Sequence, residues 1–198
     1  MQLEARKIGF YYKKNRWIFR DLNFTIDAGE IVGLIGPSGC GKTTFGRVLS
    51  GYEKPQEGTI LLNETPLPKR GYQPVQLVYQ HPEKAVNPKW RMEKTLHEGG
   101  EIDRELLEVL GIKQEWLSRW PNELSGGELQ RFCVARALRS NTRFLIADEM
   151  TTMLDAITQS QIWHAVLDIV KQRNIGVLAI SHEAALLKRI CTRTLTIH

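Results

Sequence analysis

The sequence predicts an α/β fold built on a mainly parallel sheet covered by helices, and three observations carry that expectation. Short apolar runs of buried-strand type recur at residues 31–35, 144–147 and 175–180. Stretches of helical period alternate with them, at 127–139 and at 158–172, where Ile162, Trp163, Val166, Ile169 and Val170 form one apolar stripe. A glycine-rich turn links the first of these strands to a short helical segment at 44–49. Alternation of this kind makes neighbouring strands parallel and puts ligands at their carboxyl ends.

Ahead of the turn, Leu22-Asn23-Phe24-Thr25-Ile26 alternates apolar and polar residues as a half-buried strand does, and Asp27-Ala28-Gly29-Glu30 turns it into the buried one. The turn itself, Gly36-Pro37-Ser38-Gly39-Cys40-Gly41-Lys42-Thr43, fits G-x-x-x-x-G-K-[ST], the P-loop. Its glycines let successive backbone N–H groups close on phosphate oxygens, and the following helix aims its free N–H groups and positive dipole end at the same anion. Lys42 is a mobile charge for the β- and γ-phosphates, and the Thr43 hydroxyl can reach Mg²⁺. Strand, loop and helix in this order predict binding of a nucleoside triphosphate.

Beyond the P-loop, Glu57-Gly58 leads into a strand at 59–62, closed by Asn63-Glu64-Thr65-Pro66, and a further strand at 76–79 ends at Gln80. Composition shifts after His81. Up to Glu123 one helical stretch stands out, 104–110, with Leu106, Leu107 and Leu110 on one side and Gly111 as its stop. The expectation is a single domain, 1–198, whose nucleotide-binding α/β core comprises 1–80 and 125–198, with 81–124 a small helical subdomain. A last strand is expected at 194–197.

Two further segments carry chemistry. Phe144-Leu145-Ile146-Ala147-Asp148-Glu149 is an apolar strand ending in two acids. Asp148 falls at its carboxyl edge, where it can hold Mg²⁺, and Glu149, displaced by one residue, is placed to polarise an attacking water. Leu124-Ser125-Gly126-Gly127-Glu128-Leu129-Gln130-Arg131 opens a helix with a hydroxyl and two unobstructed N–H groups, a second anion-binding pattern.

The totals bound the rest. At 198 residues the chain is one domain with room for a sizeable core. Its 27 Lys and Arg against 22 Asp and Glu leave +5, scattered rather than clustered, which does not point to nucleic acid. Cys40, Cys133 and Cys191 form no C-x-x-C pair, so a reducing compartment is expected. The first residues lack the apolar core of a signal peptide, and no run reaches the ~18–20 apolar residues of a membrane span. A cytosolic protein that serves a membrane through partners is the expectation.

Segment 124–131, set between a P-loop and an Asp-Glu strand end, resembles the signature motif of the ABC ATPases, and the likeness extends over essentially the whole chain. The resemblance implies a P-loop ATPase of ABC type, holding ATP on Gly36, Pro37, Ser38, Gly39, Cys40, Gly41, Lys42, Thr43 and Thr44. It implies Mg²⁺ near Thr43, Gln80 and Asp148, with Gln80 as the Q-loop glutamine. Catalysis falls to Glu149, Lys42 and the switch histidine, His182. Asp155, ending Thr151-Thr152-Met153-Leu154-Asp155, matches the D-loop aspartate, and Tyr12, or its neighbour Tyr11, the aromatic that stacks on adenine. Ser125, Gly126, Gly127 and Glu128 would close over ATP held by another ATPase subunit, identical or sister.

Val78-Tyr79-Gln80-His81-Pro82 and Val86-Asn87-Pro88-Lys89 resemble the Q-loop surroundings of oligopeptide and nickel importer ATPases. That likeness implies integral membrane permeases and an extracytoplasmic substrate-binding protein as partners, and a peripheral place at the cytoplasmic face of the membrane. Three departures stand out. His81 replaces a usual Asp, Met150 and Met153 replace a usual Pro and Ala, and the sequence ends at His198 where that group continues. The competing readings are a non-transport ABC ATPase acting on nucleic acid, a small-molecule kinase, and a regulatory subunit without turnover. The first would carry coiled-coil or zinc insertions or a duplicated domain, the second has no need of 124–131, and the third is opposed by Lys42, Glu149 and His182.

Overall fold

The computed structural model describes residues 1–101 and 103–197. It places the strands in two sheets of opposite character. β1 (Gln2–Phe10), β2 (Phe19–Asp27), β4 (Glu57–Leu62) and β5 (Thr65–Pro66) form an antiparallel sheet in the order β2-β1-β4-β5. β3 (Ile31–Ile35), β6 (Val75–Val78), β7 (Phe144–Asp148), β8 (Gly176–Ile180) and β9 (Arg193–Thr196) form a parallel sheet in the order β6-β7-β8-β3-β9.

The helices are α1 (Lys42–Leu49), α2 (Met92–His97), α3 (Arg104–Val109), α4 (Gly126–Ala137), α5 (Ala156–Arg173) and α6 (Ala184–Ile190). Short 3-10 turns at Pro82–Lys84, Gln114–Trp116 and Pro121–Glu123 join the smaller ones. None of the described helices is long and apolar enough to cross a membrane. Cys40, Cys133 and Cys191 are free thiols.

The period of two along the central strands divides the core into two layers. Phe144 and Ile146 of β7, with Leu178 and Ile180 of β8, face α1 and the antiparallel sheet. Leu145 and Ala147, with Val177 and Ala179, face α4 and α5. Both strands are buried along their whole length, which is why they read as continuous apolar runs.

Eight residues of α1 could not hold a helix by themselves in water. Packing holds it instead. Phe45 is fully buried and meets Phe19 and Phe24 of the antiparallel sheet edge-on, at ring separations of 5.9 and 5.4 Å. On its other side Gly46 lies so close to Ile146 and Ile180 that an added Cβ would stand 3.0 and 3.3 Å from them. The helix is clamped between the two sheets.

The separate antiparallel sheet adds to the single sheet expected from the sequence. β1 alternates, with Leu3 and Ala5 buried between exposed or half-buried neighbours, but Arg6-Lys7 interrupts the pattern with a register shift, and Lys7 sits at φ 48°. That bulge hides the strand from a periodicity reading. β2 runs three residues earlier than its alternating stretch, and α5 begins at Ala156 because Asp155 caps it.

Phe45→Ala is expected to cost about 3–5 kcal/mol, the range for a buried aromatic truncated to alanine. Urea unfolding followed by tryptophan fluorescence measures it, and a loss under ~1 kcal/mol would mean that α1 is not clamped as described.

Candidate active site

Strand order brings distant parts of the chain to one edge. The P-loop follows β3, Ser181-His182 follows β8, Asp148-Glu149 ends β7, and Gln80 lies beyond β6. Because β8 lies between β7 and β3, His182 falls between the acids and the P-loop, and all these segments leave the carboxyl ends of parallel strands.

Gly41 starts α1 from the left-handed region, at φ 99°, and a Cβ there would stand 2.4 Å from Ile18 Cγ2. Only glycine meets both demands. One residue on, Lys42 is 6% exposed, and its Nζ donates to the carbonyls of Gly36 at 2.7 Å and Pro37 at 2.9 Å. Among the described residues no carboxylate pairs with it. A nearly buried cation with only neutral partners, at the mouth of a helix N-terminus, is an anion site.

Thr43 Oγ1 donates to Asp148 Oδ1 at 3.1 Å. Burial pushes the Asp148 carboxyl above its usual range; the Thr43 hydrogen bond opposes this, the neighbouring charge of Glu149 adds to it, and Arg47 and Lys42 oppose it. Its charged form therefore lacks compensation, a need that a cation meets. Gln80 and Arg47 line the same cleft of about 490 Å³ with Thr43 and Asp148. Hydroxyl, carboxylate and amide oxygens are hard donors, and among the described residues no group of three or more His, Cys, Asp or Glu side chains gathers as a metal cage. Such a set suits Mg²⁺, which keeps phosphate and water among its ligands.

Glu149 stands at φ 50°, an uncommon conformation for a side chain of this kind. Its N–H donates to the Ile180 carbonyl at 2.9 Å, tying the residue to the end of β8. Its Oε1 lies 2.7 Å from His182 Nε2, with the imidazole the more exposed partner. The strained backbone turns the carboxylate away from the strand axis and onto the histidine.

Some predicted residues are engaged elsewhere. Ser125 caps α4 by accepting from the Glu128 N–H at 3.3 Å, while the Glu128 carboxylate accepts from the Ser125 N–H at 2.7 Å. Asp155 caps α5, accepting from the N–H groups of Ile157 and Thr158 and from the Thr158 hydroxyl. Among the described residues no hydrogen bond joins either cap to 36–44. Tyr11 is edge-on to Trp17 at 4.9 Å, and Trp17 in turn carries the Arg20 guanidinium. Tyr12 touches Phe10 by an edge and is 55% exposed.

Arg47 escaped the sequence reading. It lies one helical turn beyond Thr43, so both side chains share the face of α1 that looks at Asp148. Its guanidinium also lies 5.9 Å from the centre of the Tyr79 ring, beside Gln80. The spacing of four residues from the P-loop threonine was the available signal.

Comparisons with known proteins agree with this geometry. The family model described as ABC transporter matches residues 19–152. The nickel import system ATP-binding protein NikE of Staphylococcus aureus strain bovine RF122 / ET3-1 is 34% identical over an alignment of 212 positions, covering 98% of this chain and 86% of that protein. Its counterpart from strain N315 matches equally. Among solved structures, the dimeric post-hydrolysis state of the ATP-binding cassette MJ0796 bound to ADP and Pi superposes with a TM-score of 0.83 at 21% identity, over 98% of this chain and 94% of that one. The cbiO1 protein of Clostridium perfringens, part of the cbiONQ transporter complex, gives 0.81 at 20% identity, over 98% and 84%.

The raised Asp148 pKa has a consequence for stability. In the pH window that opens at 3.8 and extends upward, the folded chain holds the proton better than the unfolded chain, so stability falls as pH rises. Above that window the cost of the buried charge persists. Asp148→Asn removes the charge and keeps an oxygen for Thr43. The nucleotide-free variant is expected to melt higher than the parent at pH 7, and to lose the parent's stabilisation by millimolar Mg²⁺. Calorimetry with and without the cation checks both.

Proposed function

The chain belongs to the ABC transporter family as an ATP-binding, ATP-hydrolysing domain, and from that premise we propose that it powers uptake of a nickel- or peptide-type substrate through separate permeases. The observation that carries the ATPase half is the single sheet edge holding Lys42, Thr43, Asp148, Glu149 and His182. The import half is supported by the relatives, which are nickel import ATPases at 34% identity over nearly the full chain. A peripheral place at the cytoplasmic face, and a substrate-binding protein on the far side, follow from that reading.

The residues divide the work. Lys42 exchanges its carbonyl partners for β- and γ-phosphate oxygens, joined by the N–H groups of the loop and α1. Bound Mg²⁺ would supply charge neutralisation at the phosphates, held by Thr43, Asp148 and Gln80. Glu149 takes a proton from the attacking water, and His182, which already holds its carboxylate at 2.7 Å, orients it and reaches toward the γ-phosphate. Tyr12, the more exposed of the two neighbouring tyrosines, offers its ring to adenine.

One side of the γ-phosphate is left for a second chain. Ser125, Gly126 and Gly127 present a helix N-terminus that makes no hydrogen bond to 36–44 among the described residues. Closing it over the ATP of another ATPase subunit would exclude water and strengthen every contact at that phosphate.

The permease is expected in a groove of about 660 Å³ beside Gln80, lined by Tyr72, Tyr79, Asn87, Gly99, Arg136 and Arg139. Arg139 is buried there, and its Nε has no acceptor among the described residues. Lys89, two residues along from Asn87, is exposed, whereas Arg91 stacks on Trp120 and donates to Ser118.

Glu149→Gln is expected to keep ATP binding and to lower steady-state hydrolysis by ~10²–10⁴-fold, while Lys42→Ala weakens nucleotide binding itself. Near-normal hydrolysis by the glutamine variant would remove Glu149 from its role. At the groove, Lys89→Glu should lower transport in the assembled, membrane-reconstituted system by about tenfold, equivalent to ~1.4 kcal/mol, with ATP binding by the isolated chain unchanged. Cross-links from the permease confined to the opposite side of the sheet would refute that placement.

A further inference from the structure

Glu149 and His182 meet at 2.7 Å, yet the imidazole is 46% exposed and Glu149 stands in the left-handed region. A strained residue keeps its place only where its surroundings over-determine it. Part of that determination is backbone. The Glu149 N–H donates to the Ile180 carbonyl, and the Glu149 carbonyl accepts from the Thr152 N–H at 3.1 Å. The rest comes from behind the two loops, from the first turns of α5.

Thr151, two residues beyond Glu149, is 3% exposed, and its Oγ1 accepts from Trp163 Nε1 at 3.0 Å and from Gln159 Nε2 at 3.1 Å. The same Gln159 amide donates to Glu183 Oε1 at 2.9 Å. Glu183 directly follows His182 and stands at the N-cap of α6, but its carboxylate makes no cap bond to that helix and is turned to α5 instead. Its N–H donates to Oγ of the buried Ser181 at 3.0 Å, across His182. Among the described residues, Gln159 is the only side chain outside the two loops that bonds to both. An amide nitrogen has two hydrogens, one for each loop. Chemistry fixes its orientation, because a reversed amide would set its oxygen against the Glu183 carboxylate.

We infer that Gln159 is a positioning residue for ATP hydrolysis: its one amide ties the loop that carries Glu149 to the loop that carries His182 and keeps those two side chains in register. The inference rests on the roles proposed above for Glu149 and His182. Trp163, one turn further along α5, anchors Thr151 to the helix, so Gln159 sets the remaining distance, from Thr151 to Glu183. Without the bridge each loop stays on its strand but loses its fixed distance from the other. A displacement of about 1 Å at the reacting groups can cost ~10²-fold in rate. Gln159 makes no hydrogen bond to 36–44 among the described residues, so nucleotide binding does not depend on it.

The test uses the full chain, with hydrolysis at saturating Mg·ATP and nucleotide binding measured separately. Gln159→Leu, which loses both donors, should lower kcat about tenfold and leave the nucleotide Kd within about twofold. Gln159→Glu should fall at least as far, since it sets a second carboxylate against Glu183. Combining Gln159→Glu with Glu183→Gln restores an amide and a carboxylate in reversed order, and the Thr151 hydroxyl can donate to that carboxylate. This swapped pair should recover kcat to within about threefold of the parent. Each variant's ratio to the parent should hold across a protein dilution series. Hydrolysis by Gln159→Leu at the parent's rate overturns the bridge, and so does a swapped pair as slow as Gln159→Glu alone. A deficit that closes at high protein concentration belongs to association and overturns it too. Glu149→Gln run alongside separates the two readings. Near-normal hydrolysis by that variant removes the catalytic role and the bridge with it, whereas a slow Glu149→Gln beside a parent-like Gln159→Leu leaves the role standing and overturns the bridge alone.

Discussion

The clamp on α1 is the constraint from which the rest of the site follows. Phe45 is held in the antiparallel sheet, and Gly46 lets the backbone come down on Ile146 and Ile180 of the parallel one. Those two contacts set the height and rotation of the helix. With them fixed, Lys42 faces the loop carbonyls, Thr43 meets Asp148, and Arg47 enters the same cleft one turn later. An eight-residue helix has too little intrinsic stability to choose that position. The antiparallel sheet thus sets the geometry of the P-loop, although none of its strands carries a residue of the metal or phosphate set.

Electrostatics at the edge are unbalanced in a purposeful way. Lys42 is nearly buried with neutral acceptors, and Asp148 is buried with its pKa pushed up. Each charge is costly in a low-dielectric setting and each lacks its counter-ion. An anion at Lys42 and a cation at Asp148 would each relieve one of these penalties. The strain at Glu149 belongs to the same economy of structure, because an extended backbone there would continue the strand and take the carboxylate away from His182.

The opposite corner is organised by helix caps. Ser125 and Asp155 each satisfy their own helix ends, so Gly126 and Gly127 are packed and ordered before any partner arrives. A pre-ordered face loses less entropy on association than a loop that must first fold. The Thr158 and Leu154 contacts also couple the two caps, so a shift of α5 would be felt at the start of α4.

Much of this was determined by sequence alone, wherever the chemistry is local. A phosphate loop needs its glycines, lysine and threonine within eight positions between a strand and a helix, so 36–43 declared itself, as did the Asp-Glu pair at the end of an apolar strand. The cap roles of Glu128 and Asp155 are also written locally, at spacings of two or three residues. What only the tertiary structure decided is the order β6-β7-β8-β3, which puts His182 between the acids and the P-loop, and the division into two sheets. The surroundings of Tyr11 and Tyr12 also come from tertiary packing, with Trp17 edge-on to one ring and Phe10 edge-on to the other. Such facts rest on pairing and packing between segments far apart in the chain, as Thr43 and Asp148 are at 105 positions, and periodicity within one segment carries no record of which other segment will cover it.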